Sequence, residues 1–130
     1  MARPRPVTDV DTEFFWHGVA DGKVLIQRCI GCGVLRHPPR PICPECLSPD
    51  WKAEQASGRA SLYSYAVQHY PPVPGFELPY IVALADLAEG VRLVANLTDC
   101  HRDQVSIGMA LEVYCSEVEP GFWLPQFRPA

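Results

Sequence analysis

Four of the six cysteines in this 130-residue chain fall into two Cys-x-x-Cys pairs, Cys29/Cys32 and Cys43/Cys46, with ten residues between the pairs. Two tight knuckles at that spacing can bring four thiolates around one ion at ~2.3 Å with tetrahedral geometry. The residues around them suit such knuckles: Gly31 and Gly33 give backbone freedom at the first, Pro44 stiffens the second, and Pro38-Pro39 holds the chain extended between them. Four sulfurs leave no position open for water. The expected site is therefore one structural Zn2+, whose binding energy is folding energy, and not a hydrolytic centre. Two disulfides or a redox dithiol would use the same residues, but neither a βαβ pattern nor an export signal accompanies them.

The remaining reactive residues form no comparable group. Asp99-Cys100-His101 places a thiol beside an imidazole in sequence, yet neighbours in a loop need not meet in space, and Cys100 and Cys115 read as small buried residues. His17, His37 and His69 are isolated, with His37 at most a neighbour of the metal loop. Arg28, Arg36 and Arg40 bracket the cysteine pairs and Arg59 follows them; guanidinium forks match phosphate oxygens, although a solvated arginine is the commoner case.

The elements that must hold these residues are mainly β. Residues 1–7, rich in Arg and Pro, are expected to fray, and Thr8 to Asp11 resembles a capping box opening a short helix through Ala20 with Val10, Phe14 and Phe15 near one face. Lys23–Arg28 reads as a strand feeding the first cysteine pair. Beyond it, 58–70, 80–87, 91–98, 110–118 and 121–127 supply about five extended segments, which suits a small five-stranded Greek-key barrel of the OB type. The division expected is a helical segment at 1–22, a rubredoxin-like zinc ribbon at 23–57 and a barrel at 58–130.

Composition narrows the functions. A net charge of −4 gives no overall attraction for phosphate backbones and weighs against nucleic acid as the main ligand. The longest apolar run, Tyr80–Ala85, is far short of the ~20 residues that cross a bilayer, and the Met-Ala-Arg-Pro opening lacks the apolar core of a signal peptide, so the reading is a cytoplasmic protein without membrane attachment. Fourteen prolines, clustered at 38–49 and 71–79, indicate ordered loops rather than flexible linkers.

Taken together, Phe14-Phe15-Trp16, Gly22-x-Val24-Leu25, Gln27-Arg28-Cys29-x-x-Cys32-Gly33, Pro38-Pro39-Arg40, Cys43-Pro44-x-Cys46, Gly58 and Ile107-Gly108-Met109 resemble the zinc-ribbon plus OB-fold proteins once classed as a domain of unknown function and now linked to acyl-CoA metabolism. The resemblance covers nearly the whole chain. It implies an accessory role beside thiolase-fold proteins, with the catalytic residues on the partner. The finer implication, drawn from the Gly121–Ala130 ending, is a hetero-oligomer with a thiolase-like lipid-transfer-protein aldolase that cleaves a steroid side-chain CoA thioester by a retro-aldol reaction. A hotdog-fold hydratase is a further implied partner, and acyl-CoA is met through the complex. Candidate contacts to partner or CoA are Phe14, Trp16, Arg36, Arg40, Phe76, Leu78 and Trp123, with no catalytic residue assigned. In an OB-fold the proline-rich stretch 71–79 is a common ligand-contacting loop. The rival readings are a single-stranded nucleic-acid binder using Tyr63 and Tyr65, a free acyl-CoA-binding module, and an enzyme using Cys100 with His101.

Overall fold

The computed structural model describes residues 3–130. One helix, α1 (Glu13–Ala20), precedes a three-stranded antiparallel sheet of order β2-β1-β3, formed by β1 (Leu25–Cys29), β2 (Leu35–Arg36) and β3 (Trp51–Gln55). The following strands, β4 (Arg59–Gln68), β5 (Tyr80–Leu87), β6 (Arg92–Leu97), β7 (Ala110–Glu119) and β8 (Phe122–Pro129), close a barrel in the order β4-β5-β6-β8-β7. Closure removes free sheet edges, and here it is made by β4 pairing with β7 across Arg59↔Glu112, Ala60↔Leu111 and Ser61↔Ala110. The mainly β ribbon-plus-barrel architecture expected from the sequence is therefore present.

β5 shows why the barrel was readable. Its period-2 pattern buries Ile81, Ala83, Ala85 and Leu87 on one face, while the small alanines leave room for Leu62, Leu111 and Phe127 inside the barrel. In β4 the pairing with β5 shifts register at a bulge between Leu62 and Ser64; Leu62 is buried and Tyr63 and Tyr65 lie outside. Ribbon and barrel share one apolar core: Phe15 and Val19 of α1, Val24 and Ile26 of the ribbon, and the barrel residues belong to a single buried cluster.

Three expectations are corrected at the N-terminal end. The helix begins at Glu13 and not near Thr8, because Asp9 Oδ1 accepts from the Asp11 and Thr12 backbone N–H groups and from the Thr12 hydroxyl, folding residues 9–12 into a turn. Val10 consequently precedes the helix and is 88% exposed, so it does not share a face with Phe14 and Phe15. Nor does the arm beyond residue 2 fray: Arg3 N–H donates to Glu119 Oε2 at 2.9 Å, Arg3 Nε donates to the Gly75 carbonyl at 3.1 Å, and the guanidinium lies 4.3 Å from the centre of the Phe76 ring. Arg5 sits similarly over Phe122, at 4.7 Å. Gly75 permits this approach, since a Cβ there would stand 2.5 Å from Arg3 Cγ. Met1 and Ala2 lie outside the described residues.

Phe127 is fully buried where β6, β7 and β8 meet. Phe127→Ala is expected to destabilise the chain by about 3–5 kcal/mol, read as a lower urea midpoint; a loss below about 1 kcal/mol would show that the barrel is not closed around this ring.

Candidate metal centre

Both knuckles are built by the same backbone hydrogen bonds. Gly33 N–H donates to the Cys29 carbonyl and Leu47 N–H to the Cys43 carbonyl, both at 2.9 Å; Cys29 N–H donates to Val34 and Cys43 N–H to Ser48, again both at 2.9 Å. Gly33 and Leu47 thus hold equivalent positions and both adopt the left-handed conformation, at φ 79° and 64°. Glycine takes that conformation without cost, whereas a leucine there is strained by about 1–2 kcal/mol.

This geometry gathers Cys29, Cys32, Cys43 and Cys46, whose sulfurs all lie within 4.8 Å of one another. Cys29 Sγ is 3.5 Å from Cys46 Sγ, and Cys32 Sγ is 3.6 Å from Cys43 Sγ. These separations are far longer than the ~2.05 Å of a disulfide. They are close to the roughly 3.8 Å edge of a tetrahedron with ~2.3 Å metal–sulfur bonds. All six cysteines are free thiols, which removes the disulfide reading. The donor set fits a tetrahedral structural metal ion.

Hydrogen bonding lowers the pKa of the two buried sulfurs. The Cys32 backbone N–H, supported by the neighbouring thiols and the Gly31 N–H, draws the Cys29 pKa down to about 6 against the opposing effect of burial. The Cys46 and Glu45 N–H groups similarly lower Cys43. At Cys32 the Val34 N–H pulls downward but is outweighed by burial and the adjacent sulfurs, which push the thiol up to about 12; Cys46 is raised in the same way despite the Ser48 N–H. The cluster by itself keeps protons on its outer sulfurs, and a bound cation displaces them, so binding releases protons and weakens as pH falls.

The loop between the knuckles is held by Gln27, which the sequence reading placed in the family motif without assigning it a contact. Buried in β1, its Oε1 accepts from Arg40 N–H at 2.7 Å and from Arg36 Nε at 3.0 Å, and Arg36 Nη2 donates to the Arg40 carbonyl at 2.9 Å. A glutamine directly after the apolar Leu25-Ile26 and two residues before the first cysteine was the available signal. Arg28, read as a candidate phosphate contact, is instead committed to Glu54 across the sheet through two 2.8 Å hydrogen bonds and to the Gly33 carbonyl at 2.6 Å. The Arg28 guanidinium correspondingly lowers the Glu54 carboxyl pKa.

The other candidate contacts are dispersed. Phe14 packs on Trp51 with ring centres 4.6 Å apart, and Trp16 lies edge-on to Phe15 at 5.1 Å, both against the shared core. Phe76 stacks near Tyr80 at 4.8 Å under the Arg3 guanidinium, with half-buried Leu78 two residues on. Trp123 in β8 is half-buried against the core. Arg36 is 5% exposed, whereas Arg40 is open to solvent. Cys100 and His101 do not make a nucleophile–base pair: the thiol faces the His101 carbonyl at 3.6 Å, and His101 Nδ1 accepts from Asp103 N–H. Tyr63 is capped by Arg92, whose guanidinium lies 3.6 Å from the ring centre. No helix among the described residues is long and apolar enough to cross a membrane.

The class of protein that the fold and site define is a four-cysteine ribbon joined to a closed OB-type barrel. Residues 16–52 match the family model of the rubredoxin-like zinc ribbon domain of ChsH2, and residues 53–115 match that of the ChsH2 C-terminal OB-fold domain. The chain is 36% identical over 101 residues to a DUF35 domain-containing scaffold protein of Methanocaldococcus jannaschii, covering 75% of this chain and 71% of that one. The chain belongs to the DUF35 family, with the ChsH2 arrangement of ribbon and barrel. A Thermomonospora curvata protein named "Probable enoyl-CoA hydratase alpha subunit" is 47% identical over 128 residues, and the 3-oxo-4,17-pregnadiene-20-carboxyl-CoA hydratase alpha subunit of Mycobacterium tuberculosis 41% over 108. Those matches cover 98% and 83% of this chain but only 40% and 34% of the two relatives. Among solved structures, a chain of the Ltp2-ChsH2(DUF35) aldolase superposes with a TM-score of 0.93 at 46% identity, covering 96% of this chain and 98% of that one.

Two outcomes test the centre. Cys43→Ala is expected to lose bound metal to near zero by elemental analysis, and retained stoichiometry would contradict the ligand assignment. Leu47→Gly is expected to raise stability by about 1 kcal/mol in thermal unfolding of the metal-bound chain, by releasing the left-handed strain; a loss of stability would mean that Leu47 packs in the native fold.

Proposed function

We propose that this chain is an accessory, non-catalytic subunit or domain that binds and supports a thiolase-like acyl-CoA aldolase of the lipid-transfer-protein type. The observation that carries this reading is the near-complete superposition on the DUF35 chain of an aldolase assembly. The reaction in view is retro-aldol cleavage of a steroid side-chain CoA thioester, with the carbon–carbon bond broken at the partner's own residues. The naming of two relatives as CoA hydratase alpha subunits supports an acyl-CoA context and a hotdog-fold hydratase as a further partner.

In this reading the ion is one Zn2+, the choice that four thiolates in tetrahedral array favour, and it fixes the ribbon without touching substrate. The assembly is a cytoplasmic hetero-oligomer. Residues 1–22, 23–57 and 58–130 act as helical arm, ribbon and barrel. Phe14, Trp16, Phe76, Leu78 and Trp123 are the proposed partner contacts: each is half-buried and so presents part of an apolar side chain already fixed by neighbours, which lowers the entropy cost of docking. Arg40, with Arg36 behind it, is the proposed contact to acyl-CoA. Single-stranded nucleic acid fits less well, because Arg92 covers Tyr63 and the Arg3–Arg5 arm lies across Phe76 and Phe122 beside the barrel loops.

Co-expression with a thiolase-fold lipid-transfer-protein aldolase is expected to yield a stable complex by mass measurement, with CoA-thioester cleavage only when both chains are present. Full cleavage by the partner alone, or a chain that stays monomeric beside it, would refute the accessory role. Phe76→Asp, on a loop outside the apolar core, is expected to weaken the complex by about tenfold or more while leaving the chain folded.

A further inference from the structure

The seam that closes the barrel between β4 and β7 is short. Register partners end at Ser61↔Ala110, and only Leu62 extends the seam, donating to the Met109 carbonyl at 3.0 Å and accepting from Gly108 N–H at 2.7 Å. Past that point β4 stays paired with β5, from Ser64↔Leu84 to Gln68↔Tyr80, but no strand pairs with its other side.

The ladder fixes which backbone groups face that open side. In an antiparallel pair alternate residues turn both N–H and C=O to the same neighbour. Leu87 N–H donates toward β6, to the Val91 carbonyl, and Ala88 N–H toward β4, to the Arg59 carbonyl, so the even-numbered residues of β5 face β4. Leu84 and Val82 accordingly take up Ser64 and Ala66, while Tyr65 and Val67 turn both backbone groups away from β5. No further backbone bond reaches Tyr65 or Val67 among the described residues. The stretch is open as well as unpaired: Tyr63 to Ala66 are all exposed, and Val67 lines a cleft of about 390 Å³ with Cys100, His101 and Arg102.

A free strand edge is a template for another strand, and folded proteins ordinarily guard it with charge, proline or a bulge. Here the bulge lies before the open stretch, and the prolines begin only at Pro71. Residues 60–76 contain no Asp, Glu, Lys or Arg in a chain that is 20% charged. The side chains along the edge include Tyr63, Tyr65 and Tyr70, the last 80% exposed, and tyrosine is a residue type that concentrates binding energy at interfaces. An edge left unguarded in this way is suited to being covered.

Charge and position indicate by what. A net charge of −4 sets copies of this chain against one another. β4 runs through Tyr70 directly into the loop that carries Phe76 and Leu78, so the open edge is continuous with the partner contacts proposed above. A neutral edge offers no counter-charge, which selects an uncharged segment over a charged one. We propose that a partner protein adds an extended, uncharged strand to β4 along Ser64–Gln68, bonded to the free backbone groups of Tyr65 and Val67. The identity of that partner, the thiolase-fold aldolase, rests on the accessory reading.

Residue-resolved amide exchange on the metal-loaded chain, alone and in complex with the aldolase, tests this. In the free chain the Tyr65 and Val67 amides are expected to exchange at least about tenfold faster than those of Ser64 and Ala66, and in the complex to slow by about tenfold or more. Val67→Pro, which removes an N–H that the chain itself does not use, is expected to weaken the complex about fivefold or more. Ser64→Lys, a charge at an exposed position of the edge, is expected to weaken it about tenfold and serves where the proline variant does not fold. Slow Tyr65 and Val67 exchange in the free chain overturns the proposal: if the slowing grows with concentration, a second copy occupies the edge, and if it does not, the chain covers the edge itself. A stable complex that leaves both amides fast, or that tolerates Ser64→Lys, overturns the added strand and leaves the accessory role standing. Failure of the unsubstituted chain to form any complex refutes the accessory role, and the strand proposal with it.

Discussion

The structure depends first on bringing four sulfurs within 4.8 Å of one another at the tips of two loops. Four thiolates at that distance repel, and four thiols fill the space without a strong bond between them. A divalent cation changes this balance, because each metal–sulfur bond also fixes the knuckle that carries it. The ribbon needs that contribution. Its sheet has one five-residue central strand, a two-residue strand on one side and a five-residue strand on the other, too little for an independent apolar core.

The consequences run outward from the metal site in a traceable order. Cys29 ends β1, so fixing its sulfur sets the register of β1 against Trp51–Gln55 and aligns Arg28 with Glu54. The same strand carries Ile26 into the shared core and Gln27 toward the Arg36–Arg40 loop. Ala56 N–H then donates to the Val24 carbonyl at 2.8 Å, carrying the order of the sheet to the start of the barrel. The helix closes the joint, with Phe15 and Val19 in the same buried cluster as Leu111 and Phe127. Ribbon and barrel are in this sense one packed body organised from a polar, metal-binding end.

The sequence made some parts of this arrangement plain and concealed others, for physical reasons. Paired cysteines can be read because metal chemistry demands fixed residue types at short spacing, and β5 can be read because Ile81 to Leu87 keeps strict period-2 burial. The helix start was misplaced because Asp9, not Thr8, captured the local backbone donors. β2 and β3 carry too little apolar alternation to announce themselves, since β3 shows no buried residue and is held by pairing with β1. The Gln27–Arg36–Arg40 network and the Arg28–Glu54 pair join residues 9 to 26 positions apart, and only the ribbon's register brings them together. The arm contact between Arg3 and Gly75 spans 72 positions and had no local signature.

Amide hydrogen exchange before and after chelation of the metal shows whether the sulfur-bound ion organises the ribbon and, through it, the joint with the barrel. On metal removal β1, β2, β3 and both knuckles are expected to lose protection together, while β5 and the β7–β8 pair keep most of theirs, and adding back Zn2+ is expected to restore the original pattern. Unchanged protection of the ribbon strands in the metal-free chain would contradict it, because the sheet would then be standing on its own packing.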